Sequence, residues 1–397
     1  MSKTNKNLFN NTELAFSNKS DIELNKAYFL FSILDYSFLT KLGNFFLMLV
    51  LKMHLPLKKV IKKTIFNHFC GGETLDECKK TFQTLSKYNI FAMPEYSVEG
   101  ESTIKGFENY KNDSIEIINY LGKLKLPFIA IKFSGLASLE TLEKVSNGEM
   151  TYSSLEYKNF YNRVNELCEC AMNNNVKILI DAEESWIQKA IDDTAFNLMK
   201  KYNIKTVNIF LTYQCYKIHT LKNIEENYKI SLSNNYKLGV KLVRGAYMEK
   251  ERSRAKEFNY SSPIHVSKTK TDNEFDDSVE YCINKIDHIS LWIGSHNEIS
   301  CIKLMELLNS KKLSKNDERV WFSQLYGMSD NISFTLASLG YNVIKLIPFG
   351  PLEKTIPYLI RRANENSSVK GQSNRQYTLI KNEINRRKDL NYYNEHK

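Results

Sequence analysis

Tyr341-Asn-Val-Ile-Lys-Leu-Ile-Pro-Phe-Gly350 and the following Thr355-Ile-Pro-Tyr-Leu-Ile-Arg-Arg-Ala-Asn-Glu-Asn366 form the most strongly patterned stretch of this chain. The first part is apolar, rich in β-branched residues and closed by Pro348 and Gly350, which is typical of a short buried strand. The second part has helical spacing, with Pro357 in the first turn, where the missing N–H of proline costs little. The stretch therefore predicts a strand followed by a helix.

The predicted helix carries three charged residues on neighbouring turns. Glu365 lies four residues after Arg361 and three after Arg362, so one carboxylate can orient both guanidinium groups. Two adjacent guanidinium groups suit the bidentate recognition of a carboxylate ligand. A solvated helix with an ordinary ion pair has the same local pattern, so the rest of the chain has to decide between the two interpretations.

Short apolar runs, each followed by a polar segment with helical spacing, recur along the chain. The runs are 90–93, 128–133, 177–180, 207–211, 240–243, 290–293, 320–322 and 342–347. Strands that alternate with helices predict parallel pairing through right-handed crossovers. Eight such units in about 260 residues match an α/β fold of the (β/α)8 TIM-type barrel. An open doubly wound sheet is the alternative, but its glycine-rich first turn is not found here.

The segment before the first run has helical spacing. We predict helices at 21–53 and 56–70, and a third after Gly71-Gly72 with Thr74 near its N-cap, whereas 1–20 is polar and is expected to be frayed. The domains are therefore an α-helical N-terminal segment at 1–88 and a barrel, with its C-terminal substrate-binding helix, at 89–397.

The most apolar part of the chain is 28–53. Asp35, Lys41 and Lys52 interrupt it, and the uncharged run 42–51 is too short to span a bilayer. We expect a buried helix in preference to a helix that lies on a membrane surface.

Bulk composition indicates a folded chain with reduced thiols. Of the 397 residues, 42% are hydrophobic and 12% aromatic, which is ample for a core. The net charge of +10 comes from scattered residues, which argues against nucleic acid as a partner. None of the 7 cysteines belongs to a C-x-x-C motif, so we predict reduced thiols in a cytosol-like compartment and no structural zinc. The N-terminus shows neither a secretory nor a transit-peptide pattern.

Polar side chains stand at the carboxyl ends of the apolar runs, where (β/α)8 barrels carry their active sites. They are Lys132, Asp181, Glu183, Tyr213, Gln214, Lys241, Arg244, Tyr247, His296, Asn297 and Gln324, followed by the Arg361/Arg362 helix. Together they predict a site for a ligand with negative groups and a smaller cationic part. Asp181 would serve equally as a helix cap and His296 as a structural histidine. A metal is not predicted, because no second histidine lies near an acidic cluster at ligand spacing.

Eight segments at these run ends occur in a fixed order. They are Ile131-Lys-Phe-Ser, Asp181-Ala-Glu-Glu, Thr212-Tyr-Gln214, Lys241-Leu-Val-Arg-Gly-Ala-Tyr-Met, Ser295-His-Asn297, Gln324-Leu-Tyr-Gly-Met328, Ile347-Pro-Phe-Gly-Pro351 and Tyr358-Leu-Ile-Arg-Arg-Ala-Asn-Glu-Asn-Ser367. In this order the chain resembles the proline dehydrogenase family over residues 90–370, and the helical segment before them fits the same resemblance.

The resemblance implies an FAD-dependent barrel that oxidises L-proline to Δ1-pyrroline-5-carboxylate and passes electrons to a membrane quinone. It also implies a separate pyrroline-5-carboxylate dehydrogenase as the downstream enzyme. The expected location is cytoplasmic, with peripheral contact to the inner membrane, or to the matrix side of the mitochondrial inner membrane if the source is eukaryotic.

The resemblance further implies roles for single residues. Arg361 and Arg362, assisted by Lys132, would bind the proline carboxylate beside Leu346, and Asp181, Lys241 and Lys132 would be the catalytic residues. The residues implied for FAD binding are Asp181, Leu211, Gln214, Lys241, Val243, Arg244, Gly245, Ala246, Tyr247, Ser295, His296 and Glu365.

Two positions depart from the family pattern. Leu346 stands where a tyrosine commonly walls the substrate pocket, and Leu211 replaces a more usual Asn or Gln that faces the flavin. A 4-hydroxyproline dehydrogenase and a flavin-free binding paralogue therefore remain alternatives. A Schiff-base aldolase that uses Lys132 or Lys241 is a further one.

Overall fold

The computed structural model of the chain describes residues 5–34, 58–97, 102–356, 358–360 and 372–395. Arg361, Arg362 and Glu365 lie outside these ranges, as does most of the apolar segment 28–53. The expectations about them therefore stay predictions.

Eight parallel strands form one sheet. They are β1 (Ile90–Tyr96), β2 (Phe128–Ile131), β3 (Lys177–Ile180), β4 (Ile209–Gln214), β5 (Leu238–Val243), β6 (Ile289–Gly294), β7 (Val320–Leu325) and β8 (Val343–Phe349). Their spatial order is β1-β8-β7-β6-β5-β4-β3-β2. From β2 to β8 each strand lies beside its sequence neighbour, and β8 pairs with β1, as in a nearly closed (β/α)8 barrel. The predicted fold class is confirmed, and the doubly wound sheet is excluded.

Helices connect the strands and extend the chain at both ends. The α-helices are Thr12–Ala15, Asp21–Leu34, Lys58–Ile61, Asn67–Phe69, Leu75–Ser86, Ile104–Leu124, Leu139–Ser146, Leu155–Asn173, Ser185–Tyr202, Thr220–Ser233, Met248–Glu257, Lys268–Asn284, Glu298–Ser310, Asp330–Ser338 and Gln372–Glu395. Short 3-10 helices are Asn5–Asn10 and Phe133–Gly135, and Lys62–Phe66 is a π-helix. Residues 352–356 and 358–360 are also helical, which supports the predicted strand-then-helix stretch. Thr74 caps its helix as predicted, accepting a hydrogen bond from the Glu77 N–H at 3.3 Å.

The chain divides into two compact units, residues 99–323 and residues 1–98 with 324–397. Within the first unit, aromatic side chains fill the interior of the sheet. The Phe128 ring contacts the Phe210 ring at 5.9 Å and the Trp321 ring at 5.0 Å between centroids. Because side chains alternate along a strand, every second residue from these positions also faces inward.

The second unit has its own apolar core. Phe9, Phe16 and Phe31 are buried there, and the Tyr28 and Tyr377 rings stack at 4.9 Å. The expectation that 1–20 is frayed is wrong for residues 5–20, because these buried aromatic side chains anchor two short helices. All 7 cysteines are free thiols, as predicted. Across the described ranges, no helix is both long and apolar enough to cross a membrane.

Candidate active site

Lys241 and Asp181 form a buried ion pair inside the barrel. The Lys241 ammonium donates to the Asp181 carboxylate at 2.5 Å, and the two side chains are 5% and 16% exposed. Lys241 pairs in register with Thr212 of β4 and Trp292 of β6, and its Nζ lies 5.1 Å from the Trp292 ring centroid. A positive charge is thus fixed inside the barrel by an anion at the end of β3, two strands away in the sheet.

Lys132 lies at the next strand end. It follows β2 on the same side as Phe128, so its side chain leaves the strand toward the interior. Its backbone N–H donates to the Tyr110 hydroxyl at 3.2 Å. The Asp181 N–H donates to the Ile131 carbonyl at 3.0 Å, which brings the ends of β2 and β3 together. The structure therefore gathers Lys132, Asp181 and Lys241, as the sequence predicts.

Glu183 is a buried acid that the sequence places at the predicted site without an individual role. It is 3% exposed, and its carboxylate accepts hydrogen bonds from the Ser134 N–H at 3.0 Å and from the Ser134 hydroxyl. Burial raises the pKa of the Glu183 carboxyl to about 7, against the opposing effects of the Ser134 hydrogen bonds and the Lys132 charge. A signal was present in the sequence, since Glu183 follows Asp181 by two residues in the same polar motif.

Gln214 joins the ends of three strands. Its Nε2 donates to the Glu183 carbonyl at 2.8 Å, and its Oε1 accepts from the Ala246 N–H at 3.1 Å. These bonds tie β4 to the segments that follow β3 and β5. Gln214 therefore lies inside the predicted site, but both ends of its amide already bind backbone groups.

Arg244 follows β5 and is held in one orientation. Its guanidinium donates to Asp272 at 2.6 Å and to the hydroxyls of Ser295 and Ser300, each at 2.9 Å. It also stacks on the Phe275 ring, 4.5 Å from the centroid. A cation so fully oriented is suited to an anionic ligand at the neighbouring strand ends.

Gly245 gives the segment after β5 its close approach to Tyr216. Its φ is +131°, and a Cβ at this position would lie 2.4 Å from the Tyr216 ring, so only glycine fits. Ala246 and Tyr247 follow, and burial raises the pKa of the Tyr247 phenol. These residues and Arg244 form one continuous segment directly after β5, as predicted.

The predicted residues Ser295 and His296 follow β6. The Ser295 hydroxyl accepts hydrogen bonds from Arg244 and from the Asn297 N–H at 3.1 Å. Asn297 caps the next helix through the Ile299 N–H at 2.9 Å, so its role is structural. His296 is half-buried beside them.

The last two predicted residues are Leu211 of β4 and Leu346 of β8. Leu211 lies on the same side of β4 as Tyr213, whose hydroxyl accepts from Asn227 of the following helix at 3.0 Å. This helix-facing position does not support the expectation that Leu211 contacts a flavin. Leu346 is half-buried in β8, in register with Met93 of β1.

Two interior atoms test whether FAD, the implied cofactor, suits this site. The Thr212 hydroxyl and the Trp292 Nε1 are buried and have no hydrogen-bond partner among the described residues. Both belong to residues in register with Lys241, so polar ligand atoms at that level would satisfy them. The donor set fits a flavin cofactor. In the described part of the chain, no group of acidic, His and Cys side chains is arranged to hold a metal ion.

Comparison with known proteins gives the class of this barrel. The family model for proline dehydrogenase matches residues 78–375. Proline dehydrogenase 1, mitochondrial, of Dictyostelium discoideum is 30% identical over 95% of this chain and 74% of its own length. The chain therefore belongs to the proline dehydrogenase family, which is a family of oxidoreductases.

Other relatives carry other names. The carbapenem antibiotics biosynthesis protein CarD of Pectobacterium carotovorum is 32% identical over 80% of this chain and 83% of its own length. The hydroxyproline dehydrogenase of Xenopus laevis is 29% identical over 82% and 78%.

One solved structure confirms the fold alone. Proline utilization A from Bdellovibrio bacteriovorus, inactivated by N-propargylglycine, superposes with a TM-score of 0.70 at 21% identity. The match covers 79% of this chain but 34% of that one, so this chain spans about a third of that protein's length.

Proposed function

We propose that this protein oxidises L-proline to Δ1-pyrroline-5-carboxylate with FAD as its cofactor. The buried Lys241–Asp181 ion pair is the main support for this proposal. Lys241 is in register with Thr212 and Trp292, whose buried polar atoms have no hydrogen-bond partner among the described residues and could bind a ligand. A charge pair buried without a function would be costly to the fold, whereas next to a redox cofactor it has a clear use. Family membership supports the reaction class.

The residues of this chain supply orientation and electrostatic field. FAD, when bound, would supply the hydride acceptor for oxidation at the carbon next to the ring nitrogen of proline. Lys241 would present its positive charge where negative charge develops during that transfer. Asp181 holds the ammonium at 2.5 Å, so the charge needs no reorganisation as the reaction proceeds. Lys132, at the adjacent strand end, would bind the carboxylate of proline together with Arg361 and Arg362, and Glu365 would orient those two arginines.

FAD would be held mainly by the strand ends from β4 to β6. Arg244 is already oriented for a phosphate by Asp272, Ser295 and Ser300. Its neighbours would complete the contacts to the cofactor; they are Gln214, Val243, Gly245, Ala246, Tyr247, Ser295 and His296. Gly245 has no side chain of its own, which lets the backbone that carries Ala246 and Tyr247 pass against the Tyr216 ring.

Anaerobic titration of the purified protein with proline tests the proposal. We expect flavin bands in the absorption spectrum, and bleaching of these bands as proline is added. Arg362→Met should retain FAD and raise the KM for proline severely. A protein that shows no flavin bands after incubation with FAD would instead be a flavin-free binding paralogue, and the proposal would fail.

Hydroxyproline is the second candidate substrate. Leu346 stands where the family commonly carries a tyrosine, and a hydroxyproline dehydrogenase is among the relatives. A smaller side chain in the substrate pocket leaves room for a ring substituent. Parallel measurements of kcat/KM for proline and 4-hydroxyproline separate the two substrates.

The remaining partners are proposed with the reaction. Electrons would pass to a membrane quinone, and the product would be consumed by a pyrroline-5-carboxylate dehydrogenase. Peripheral membrane contact is proposed for the same reason, since the acceptor lies in the bilayer. Several relatives are named mitochondrial proteins, which supports the matrix side of the inner membrane as the location if the source is eukaryotic.

A further inference from the structure

The Glu183 carboxylate is hydrogen-bonded to the turn that follows Lys132. Both of its oxygens accept from one residue, Ser134, through the backbone N–H at 3.0 Å and the side-chain hydroxyl. Ser134 lies two residues after Lys132, in the 3-10 helix Phe133–Gly135. A residue at the end of β3 thus fixes the backbone at the end of β2.

The segment that carries Lys132 is fixed on its other sides as well. The Lys132 carbonyl accepts from the Gly135 N–H at 3.1 Å, and the Lys132 N–H donates to Tyr110. Phe133 is fully buried and packs edge-on against Phe160 at 5.1 Å. These contacts hold the turn against the surrounding helices, whereas Glu183 holds it against the strand end that carries Asp181.

Glu183 is itself firmly anchored. Its N–H donates to the Gln188 side chain at 2.9 Å, and its carbonyl accepts from Gln214 at 2.8 Å. The position of its carboxylate is therefore set by the same network that joins β3, β4 and β5. A displacement of Glu183 would be transmitted to Ser134 and from there to the Lys132 backbone.

From this geometry we propose that Glu183 and Ser134 form a positioning pair that sets Lys132 for the carboxylate of an amino-acid substrate. The inference rests on the proposed function, because it needs Lys132 to bind that carboxylate. Glu183 is not a catalytic residue, since both oxygens are engaged by Ser134 and the side chain is buried. It acts on the ligand only through the placement of Lys132.

The charge state of Glu183 should control this placement. With its pKa raised to about 7, the carboxyl changes charge near neutral pH. Glu183 interacts electrostatically with charged or titratable groups from four segments. They are Lys132 after β2, the adjacent Glu184, Tyr110 from the helix before β2, and Tyr247 after β5. Protonation removes one acceptor from the Ser134 contacts, so Lys132 should be held less firmly at low pH.

The first test compares Ser134→Ala with the wild-type holoenzyme. The substitution removes one hydrogen bond to the carboxylate and keeps the backbone, so we expect the KM for proline to rise about tenfold, as for a bond to a charged group. The kcat and the FAD content should stay within about twofold, because the Lys241 site is untouched. Glu184→Gln is the control, since Glu184 is also buried but pairs with Lys250 at 2.6 Å. Its KM should not change at about pH 9, where Glu183, with its pKa of about 7, is ionised in both proteins.

The second test asks whether Glu183 acts through Lys132. Glu183→Gln should raise the KM and flatten the pH dependence of kcat/KM between about pH 6 and 8. In the Lys132→Met background the same change should have no further effect on KM, because contacts that act in series are not additive. Additive effects of the two substitutions, or a Ser134→Ala enzyme with unchanged KM, would overturn the inference. A wild-type protein whose flavin is not reduced by proline would instead overturn the proposed function.

Discussion

At the scale of single residues, Asp181 and Lys241 neutralise each other's buried charge. Asp181→Asn leaves the Lys241 ammonium buried without its anion, so we expect a loss of about 3 kcal/mol in the free energy of unfolding. The kcat should also fall at least about tenfold, because the charge is no longer held in place. Thermal denaturation and steady-state kinetics measure the two effects.

The double variant Asp181→Asn/Lys241→Met is the control for this pair. It removes both charges, so stability should recover relative to Asp181→Asn while activity stays low. Equal stability of the single and double variants would show that the unpaired Lys241 ammonium does not destabilise the fold.

His68 gives the protein a specific sensitivity to acid. The side chain is half-buried and its Nε2 lies 2.9 Å from the Gly327 carbonyl. Desolvation of the ring, together with the charge of Lys19, lowers the pKa of His68 from 6.5 to about 4. The folded state therefore keeps His68 neutral where the unfolded chain takes up a proton. Stability from this residue is complete above pH 6.5 and is lost as the pH falls toward 4, by about 3 kcal/mol.

His68→Gln tests this sensitivity, because glutamine retains a donor for Gly327 and does not titrate. Urea midpoints at pH 7 and pH 5 should differ less in the variant than in the wild type. Desolvated acids such as the half-buried Asp192, whose pKa is raised to about 6, act with the opposite sign in both proteins and cancel in the comparison. An unchanged pH difference would mean that His68 is not the sensor.

The candidate site was predictable where it depends on strand ends, and not where it depends on helices. Asp181, Lys132 and Lys241 lie within or directly after apolar runs, so a parallel barrel had to bring them together. The partners of Arg244 could not be foreseen, since Asp272 and Ser300 lie on later helices whose packing leaves no local sequence signal.

At the scale of elements, all eight strands were predictable from their apolar runs. The strand bounds were less predictable. β4 ends at Gln214, three residues beyond the predicted end at 211. The prediction stopped short because the inward-facing Thr212 and Gln214 are polar and resemble loop residues in the sequence. The helix Gln372–Glu395 was not predicted at all. Its charged and polar residues show little periodicity, and its burial depends on contacts with the distant N-terminus.

That C-terminal helix and the N-terminal residues hold each other through Arg387. Its guanidinium donates to the carbonyls of Phe16 at 3.0 Å and Lys19 at 2.9 Å, and to the buried Glu383 at 2.8 Å. Arg387→Ala should cost about 2 kcal/mol of stability and speed hydrogen exchange in residues 5–20. Lys388→Ala, on the same helix, is the control and should leave exchange unchanged; protection that survives Arg387→Ala would mean that the buried aromatic side chains suffice.

At the scale of the whole molecule, the polar groups around Lys241 predict that stability depends on the proposed cofactor. Thr212 and Trp292 bury polar atoms that have no partner among the described residues, and such atoms destabilise a fold until a ligand satisfies them. FAD at about a hundredfold excess over its Kd should raise the free energy of unfolding by about 2.7 kcal/mol. Differential scanning calorimetry with and without FAD measures the shift, and riboflavin, which lacks the phosphates expected at Arg244, is the control ligand. Equal shifts with both ligands would show that Arg244 does not bind the pyrophosphate, and no shift with either would remove FAD from this site.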